Sequence, residues 1–451
     1  VSTAALARMN MVLHNHASDV QTIARENTLS DPQFIDGENR LRTFDFAVAN
    51  PPFSYKSWTT GLTNDKGSVN DKFDRFTGFG VPPNKNGDYA FLIHLIRSLK
   101  SKVKGAIILP HGVLFRGGAE AEIRQNIIRR GYIKGIIGLP PNLFFGTGIP
   151  ACIIVIDKEN ADGRKGIFMI DASKAYLKDG NKNRLRHQDI HKIVDVFNKQ
   201  IEIPKYSRNV SFDEIEKKNE YNLNIPRYID SQEPEDIQDI EAHLKGGIPK
   251  TDIDELEKYW NVYPSLRKEL IKNNARPGYL ELKIDQANIK NTIYNHPEFL
   301  EYAKKVDKAF KQWKENLYPE LIGIKIGSKP KKLIHTISEE ILESFSRLNL
   351  IDKYDVYQHL MSYWSDIMQD DVYIIANDGW KAEFYYDTEK KEYVCNLVPK
   401  ELVINRYFEK EKKEIEQLEI NKDTVSAEME EMAEEHASED GLLEEVKTDS
   451  G

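Results

Sequence analysis

The sequence is poor in cysteine and has no long apolar run. Only Cys152 and Cys395 occur in 451 residues. That is too few for a disulfide framework, and simple packing accounts for both thiols, so a reducing cytoplasm is the expected setting. The longest apolar runs, such as Ala151–Ile156, have the length of a strand and fall far short of the roughly 18 residues of a membrane-spanning helix. No membrane association is therefore expected, and no signal peptide is legible. Metal-ligand groupings are missing too. His187 and His191 stand four apart on an expected helix, but no third ligand is near them, and they read as exposed helix residues.

What is present is a soluble, globular composition, 40% apolar and 30% charged, in a chain long enough for two or three domains. The net charge of -9 hides an asymmetry. Residues 1–230 carry 33 basic and 25 acidic residues, a net of +8, whereas 231–451 carry 30 and 47, a net of -17. A basic first half suits a polyanion such as DNA, and an acidic second half would be repelled by one.

Periodicity places a helix over Thr3–His14 and a short strand within Gln21–Leu29, ending at Asn27-Thr28-Leu29. Phe44, Phe46 and Val48 read as a buried strand that stops at Asn50-Pro51-Pro52-Phe53. Residues 54–86 show neither a helical nor a strand period, and a loop of that length in a compact domain is either functional or disordered. Asp88 is expected to cap a helix over Tyr89–Lys100. Strands follow at Gly105–Leu109, Tyr132–Leu139, Ala151–Asp157 and, as an edge, Gly166–Ile170, with helices at Gly118–Arg130 and Gln188–Gln200. This alternation implies an α/β fold with a parallel, doubly wound sheet. Past the acidic break near Asp230, helix formers dominate, interrupted by expected strands at Val372–Asn377 and a hairpin within Ala382–Asn396. From Phe408 a leaky heptad runs through Ile415, Leu418, Val425, Met429 and Met432, and reads as an acidic helical or coiled-coil arm. The expected domains are 1–230, 231–405 and 406–451.

An Asn-Pro-Pro-Phe turn at a strand end suits one chemistry, methyl transfer to an exocyclic amine on a base. The amine lone pair is delocalised into the ring and is a poor nucleophile. Two acceptors in the plane of the amine, the Asn50 side-chain carbonyl and the Pro51 backbone carbonyl, draw its hydrogens outward and help it pyramidalise. Pro51 and Pro52 keep that carbonyl out of the sheet ladder and hold the turn, and Phe53 offers a flat face for an extruded base. The plainer reading is a strand-terminating turn with Asn50 as its cap. In the loop beyond, Tyr55, Lys56, Trp58, Lys72, Arg75 and Lys85, with Arg116 further on, are candidate DNA contacts, against the plainer reading of solvated loop charges and a surface ion pair.

The turn resembles the catalytic motif of amino-group DNA methyltransferases. Its neighbours extend the resemblance to nearly the whole chain: Leu6-Ala7-Arg8-Met9-Asn10-Met11, Asn27-Thr28-Leu29, Gly87-Asp88-Tyr89-Ala90-Phe91, Leu109–Gly118, Leu139-Pro140-Pro141-Asn142-Leu143-Phe144 and Tyr221–Tyr228. Together they resemble the modification (M) subunit of type I restriction-modification systems. The resemblance implies a Rossmann-like methyltransferase domain, a mainly helical domain with a small β insertion, and a C-terminal helical arm. It implies site-specific N6 methylation of a flipped adenine by S-adenosyl-L-methionine, with DNA, a specificity (S) subunit, a restriction (R) subunit and a second M subunit as partners. Asn50, Pro51, Pro52 and Phe53 are then the expected catalytic residues, and Asn27, Leu29 and Asn50 the expected cofactor contacts.

The Gly-rich loop and the ribose-binding acid that such families place ahead of the motif do not precede Asn50. The chain also opens on Val1 within a helix-like segment, so a piece lacking the first strands, and cut at the C-terminus as well, is expected. The rival from another class is an interaction module that docks on a specificity subunit without binding cofactor. Methylation of a protein amide fits Phe53 and the basic loop less well.

Overall fold

The computed structural model describes residues 3–14, 16–65, 67–232, 238–389 and 391–436. The chain divides into two compact units, Val1–Glu301 with Leu348–Gln358, and Tyr302–Arg347 with His359–Gly451.

The first unit is α/β. Its main sheet is built from β1 (Phe44–Ala49), β2 (Leu99–Pro110), β3 (Ile133–Gly138), β4 (Ala151–Asp157) and β5 (Gly166–Asp171). A small hairpin follows, β6 (Leu177–Asp179) with β7 (Lys182–Arg184), and then a sixth sheet strand, β8 (Ser207–Ser211). The spatial order is β1-β2-β4-β3-β5-β8. β1 pairs in parallel with β2, and β3 with β5, whereas β4 runs antiparallel to both β2 and β3, and β8 antiparallel to β5. The sheet is therefore mixed, not wholly parallel. Residues 139–150 between β3 and β4 contain no helix, and a parallel return needs a crossover, usually helical. The Leu139 N–H instead bonds the Ala151 carbonyl at 2.9 Å, closing a wide hairpin. β5 is an interior strand rather than an edge, because β8 covers it.

Helices lie on both faces. α1 spans Thr3–Leu13, α2 Asp88–Arg97, α3 Ala119–Arg129 and α4 His187–Lys199. Leu92, Ile93 and Ile96 of α2 and Ile123 and Ile127 of α3 join Ile107, Leu109 and Ile154 in one buried layer. Ile193 and Val196 of α4 pack with Ile137, Phe168 and Ile170 in the other. Asp88 is the first residue of α2 rather than its cap, and Gly87 takes the cap position. The strand expected within Gln21–Leu29 is replaced by a 3-10 turn, Ala17–Thr22, and a side-chain-bonded turn at Asn27. β1 lies at the sheet edge, so Phe46 and Val48, expected to be buried, stand 76% and 84% exposed. A three-stranded sheet of Ile248–Pro249, Ile271–Asn273 and Tyr279–Leu282 completes this unit.

The second unit is mainly helical. Ile337, Ile341, Leu342 and Phe345 of helix Pro330–Phe345 are buried, and Trp313 donates its indole N–H to the Ile337 carbonyl at 3.1 Å. Val372–Asn377 lies inside helix Gln369–Asp378 and is not a strand, because Val372 and Ile375, three apart, share one buried helical face. The hairpin is Phe384–Asp387 with Glu392–Cys395. Helix Glu409–His436 leaves Ile415, Leu418, Val425, Met429 and Met432 exposed along its heptad seam.

Candidate active site

β1, β2, β3 and β5 all run in one direction, so their C-terminal ends meet at one edge of the sheet, where open α/β sheets bind ligands. The ladder between β1 and β2 ends at the pair Ala49 and Ile107. Asn50 follows and is exposed, Pro51 is buried, Pro52 exposed and Phe53 half-buried. Neither proline has an N–H with which to extend the ladder.

The chain after Phe53 is clamped from a distance. Ser54 turns with φ +50°, and its N–H donates to Asp88 Oδ1 at 2.7 Å. The Gly87 N–H donates to the Tyr55 carbonyl at 3.0 Å. A Cβ at Gly87 would stand 2.7 Å from Cβ of Trp58, so only glycine fits there. Asp88 is fully buried and also accepts from Arg116 Nη2, while Arg116 Nε donates to Glu120 Oε2, both at 2.5 Å. Burial holds the Glu120 carboxyl above its ordinary pKa despite the Arg116 charge. The α2 N-terminus thus holds the turn through two bonds to its outgoing backbone, and the Arg116 pair anchors that N-terminus to the start of α3.

The other strand ends complete the edge. The Phe53 ring meets Phe144, on the loop after β3, edge to face with centroids 5.6 Å apart. That loop is braced by the β6–β7 hairpin. Lys182 Nζ donates to the carbonyls of Phe144 (2.8 Å) and Thr147 (3.2 Å), the Asn183 N–H donates to the Asn142 carbonyl (3.0 Å), and Asn183 Nδ2 to that of Pro141 (2.7 Å). His111, just after β2, has a buried Nε2 without a partner among the described residues. Burial lowers its pKa, against the pull of the Asp171 charge.

Several residues expected at DNA lie elsewhere. Trp58 is wholly enclosed and donates Nε1–H to the Pro83 carbonyl at 2.8 Å. Arg75 is also wholly enclosed. Its guanidinium bonds Asp71 (2.8 Å), the Leu29 carbonyl (2.6 Å) and His94 Nδ1 (3.1 Å). Burial and the Arg75 charge push the His94 pKa down to about 4. Arg116 is spent on Asp88 and Glu120. Trp58 and Arg75 are framework residues, because a guanidinium or indole with its donors used and its surface covered has nothing left for a phosphate or base. Arg116 stays half-buried in its two ion pairs. Tyr55, Lys56, Lys72 and Lys85 are exposed. The loop 54–86 is thus a packed part of the domain, with Leu62, Phe76 and Phe79 in its core.

The expected cofactor residues are likewise engaged. Asn27 Oδ1 accepts the N–H groups of Leu29 (3.0 Å) and Ser30 (3.2 Å), and Leu29 is buried, with its carbonyl taken by Arg75. A cleft of about 260 Å³ runs beside β1, lined by Glu26, Thr28, Asp31, Phe34, Phe44 and Val48 among others. Its charged side chains are acidic, and its His94 is held neutral. Such a lining suits the ammonium of a methionine group and ribose hydroxyls better than a carboxylate.

Among the described residues no cluster of three or more His, Cys, Asp or Glu could hold a metal ion, and no helix is long and apolar enough to cross a membrane. His191 is a packing residue, 4.6 Å from the Tyr357 ring, rather than an exposed one. The residues that sequence reasoning passed over are Asp88 as the clamp, Phe144 as the neighbour of Phe53, and Lys182 and Asn183 as braces. The signals for Phe144 were its place in the Leu139–Phe144 stretch of the resemblance and a second Pro-Pro with an aromatic three residues on.

Residues 1–237 match the family described as N-6 DNA Methylase. The chain is similar to the methylase subunits of three type I restriction enzymes. That of MpnII from Mycoplasma pneumoniae is 34% identical over 242 residues (52% of this chain, 43% of that one). That of MjaVII from Methanocaldococcus jannaschii is 32% identical over 246 residues (54% and 41%). That of HindI from Haemophilus influenzae is 31% identical over 291 residues (61% and 59%). Among solved structures it is similar to a type I restriction-modification system methyltransferase subunit from Streptococcus thermophilus, at 39% identity and a TM-score of 0.44, covering 51% of this chain and 47% of that one. The chain matches about two fifths of the length of the first two curated relatives. With the family matched over more than half its length, the chain belongs to the N-6 DNA methylase family.

Proposed function

We propose that this chain presents the target-base side of a type I modification methyltransferase, which methylates N6 of an adenine extruded from DNA. The observation that carries this reading is the exposed Asn50 at a proline-stopped strand end, with Phe53 beside it and the outgoing backbone clamped by Asp88. Asn50 Oδ1 and the Pro51 carbonyl accept the two amine hydrogens, which turns the nitrogen lone pair out of conjugation with the ring. Phe53 stacks on the base. As the N–C bond forms, the methyl–sulfur bond of the donor would break. The methylated nitrogen then loses one proton to solvent, which restores the neutral aromatic amine. Because the clamp is already in place, the acceptors need little reorganisation during reaction.

S-adenosyl-L-methionine as methyl donor, the specificity, restriction and second modification subunits as partners, and a cytoplasmic setting all belong to this proposal, as does a functional division of the chain at about 230 and 405. The basic first half supports DNA as substrate. The exposed heptad seam of Glu409–His436 supports a helical partner. That seam also favours the second reading, an interaction module without catalysis.

Methyl incorporation into adenine of site-bearing DNA by the chain with its specificity partner separates the two. Asn50→Ala is expected to cut incorporation by roughly 10²–10³-fold while leaving complex formation unchanged. Undiminished incorporation in the variant would sink the role given to Asn50.

A further inference from the structure

Phe145 is the most exposed large apolar side chain described, at 94% of its surface. It sits one residue beyond Phe144, whose ring touches Phe53. Gly146 turns the chain away immediately afterwards with φ +79°. The loop does not hold this ring out for want of support, because Lys182 and Asn183 pin its backbone at Pro141, Asn142, Phe144 and Thr147. A lone exposed ring is ordinary on a protein surface, but this one is held by a braced loop at the strand-end edge, directly beside the Phe53–Phe144 pair. The bracing hairpin lies in a basic segment: residues 172–187 hold five Lys or Arg and one Asp.

We infer that Phe145 enters the base stack of the duplex and fills the space left by the extruded adenine. This rests on the adenine reading above and adds to it how the base is brought out. Extrusion costs the stacking and pairing of one nucleotide, and an apolar wedge between base steps offsets part of that cost. The neighbouring rings divide the work. Phe53 receives the base, Phe144 backs Phe53, and Phe145 occupies the hole. Lys178, exposed on β6, and its basic neighbours supply the charge that phosphates on either side of the gap require.

The test uses the full chain with its specificity partner and two duplexes bearing the methylated site. One is fully paired, and the other is abasic opposite the target adenine, so that the base is already unpaired. Phe145→Ala is expected to lower methylation of the paired duplex by about 10- to 100-fold and to recover to within about threefold of wild type on the abasic duplex. Phe145→Trp is expected to retain activity on both. With 2-aminopurine at the target position of the paired duplex, the wild type is expected to raise its fluorescence and the Ala variant is not. Equal loss on both duplexes, no loss on either, or failure of the Ala variant to bind the specificity partner each overturns the wedge. A wild-type complex that brightens 2-aminopurine in a Phe145-dependent way but transfers no methyl overturns the catalytic reading and leaves the wedge standing.

Discussion

Residues 54–86 and residues 139–150 both follow strands of the same sheet and, among the described residues, both lack helix or strand, but they are used in opposite ways. The first is long, polar and basic, and its Trp58 and Arg75 turn inward until no surface is left. The second contains no charged residue at all, and it projects Phe145 almost completely into solvent. Charge content therefore does not tell an outward-facing side chain from an enclosed one here. What separates them is where the donors go. Arg75 finds Asp71, His94 and Leu29 within its own domain, whereas the loop after β3 is pinned through its backbone by Lys182 and Asn183 and leaves Phe145 facing outward.

The largest effect expected from this contrast is on stability. Arg75→Ala leaves the Asp71 carboxylate buried without its cation and is expected to cost about 3–5 kcal/mol, read from denaturant unfolding. An unchanged midpoint with weaker DNA binding would instead make Arg75 a surface residue and break the comparison. A pH effect follows with a definite sign. Burial alone would raise the Asp71 pKa, but the Arg75 guanidinium and the backbone N–H groups of Arg75 and Phe73 outweigh it and hold the pKa below its ordinary value. The group therefore adds stability above its unfolded pKa of about 4, and that stability is lost as pH falls through the lower folded value. Asp71→Asn should flatten this part of the acid limb of a stability-pH curve, whereas residues 139–150 hold no titratable side chain and contribute nothing to it. The smallest effect belongs to the brace. Lys182→Met frees the carbonyls of Phe144 and Thr147 and is expected to cost about 1 kcal/mol, with a fall in methylation of the paired duplex that exceeds the fall on the abasic one.

Much of the site could be read from the chain itself. Pro51-Pro52 cannot extend a ladder, so a strand end at Asn50 follows from local chemistry. Helices α2, α3 and α4 were legible for the same kind of reason, since their apolar spacing repeats within a few turns. Asp88 was misplaced by a single position, yet that position is what lets its carboxylate reach Ser54. Val372–Asn377 was misread because a six-residue apolar run suits a strand as well as a helix, and only the neighbouring packing decides.

Helices α2, α3 and α4, the proline turn and the basic first half depend on residues near one another in sequence, and these the chain settles alone. The direction of β4, the interior place of β5, the burial of Trp58 and Arg75, and the meeting of Phe53 with Phe144 depend on partners tens of residues away. Those were decided only when the chain folded, because a polar side chain takes its role from whichever group lies across from it, and in a mixed sheet that group is seldom its neighbour in sequence.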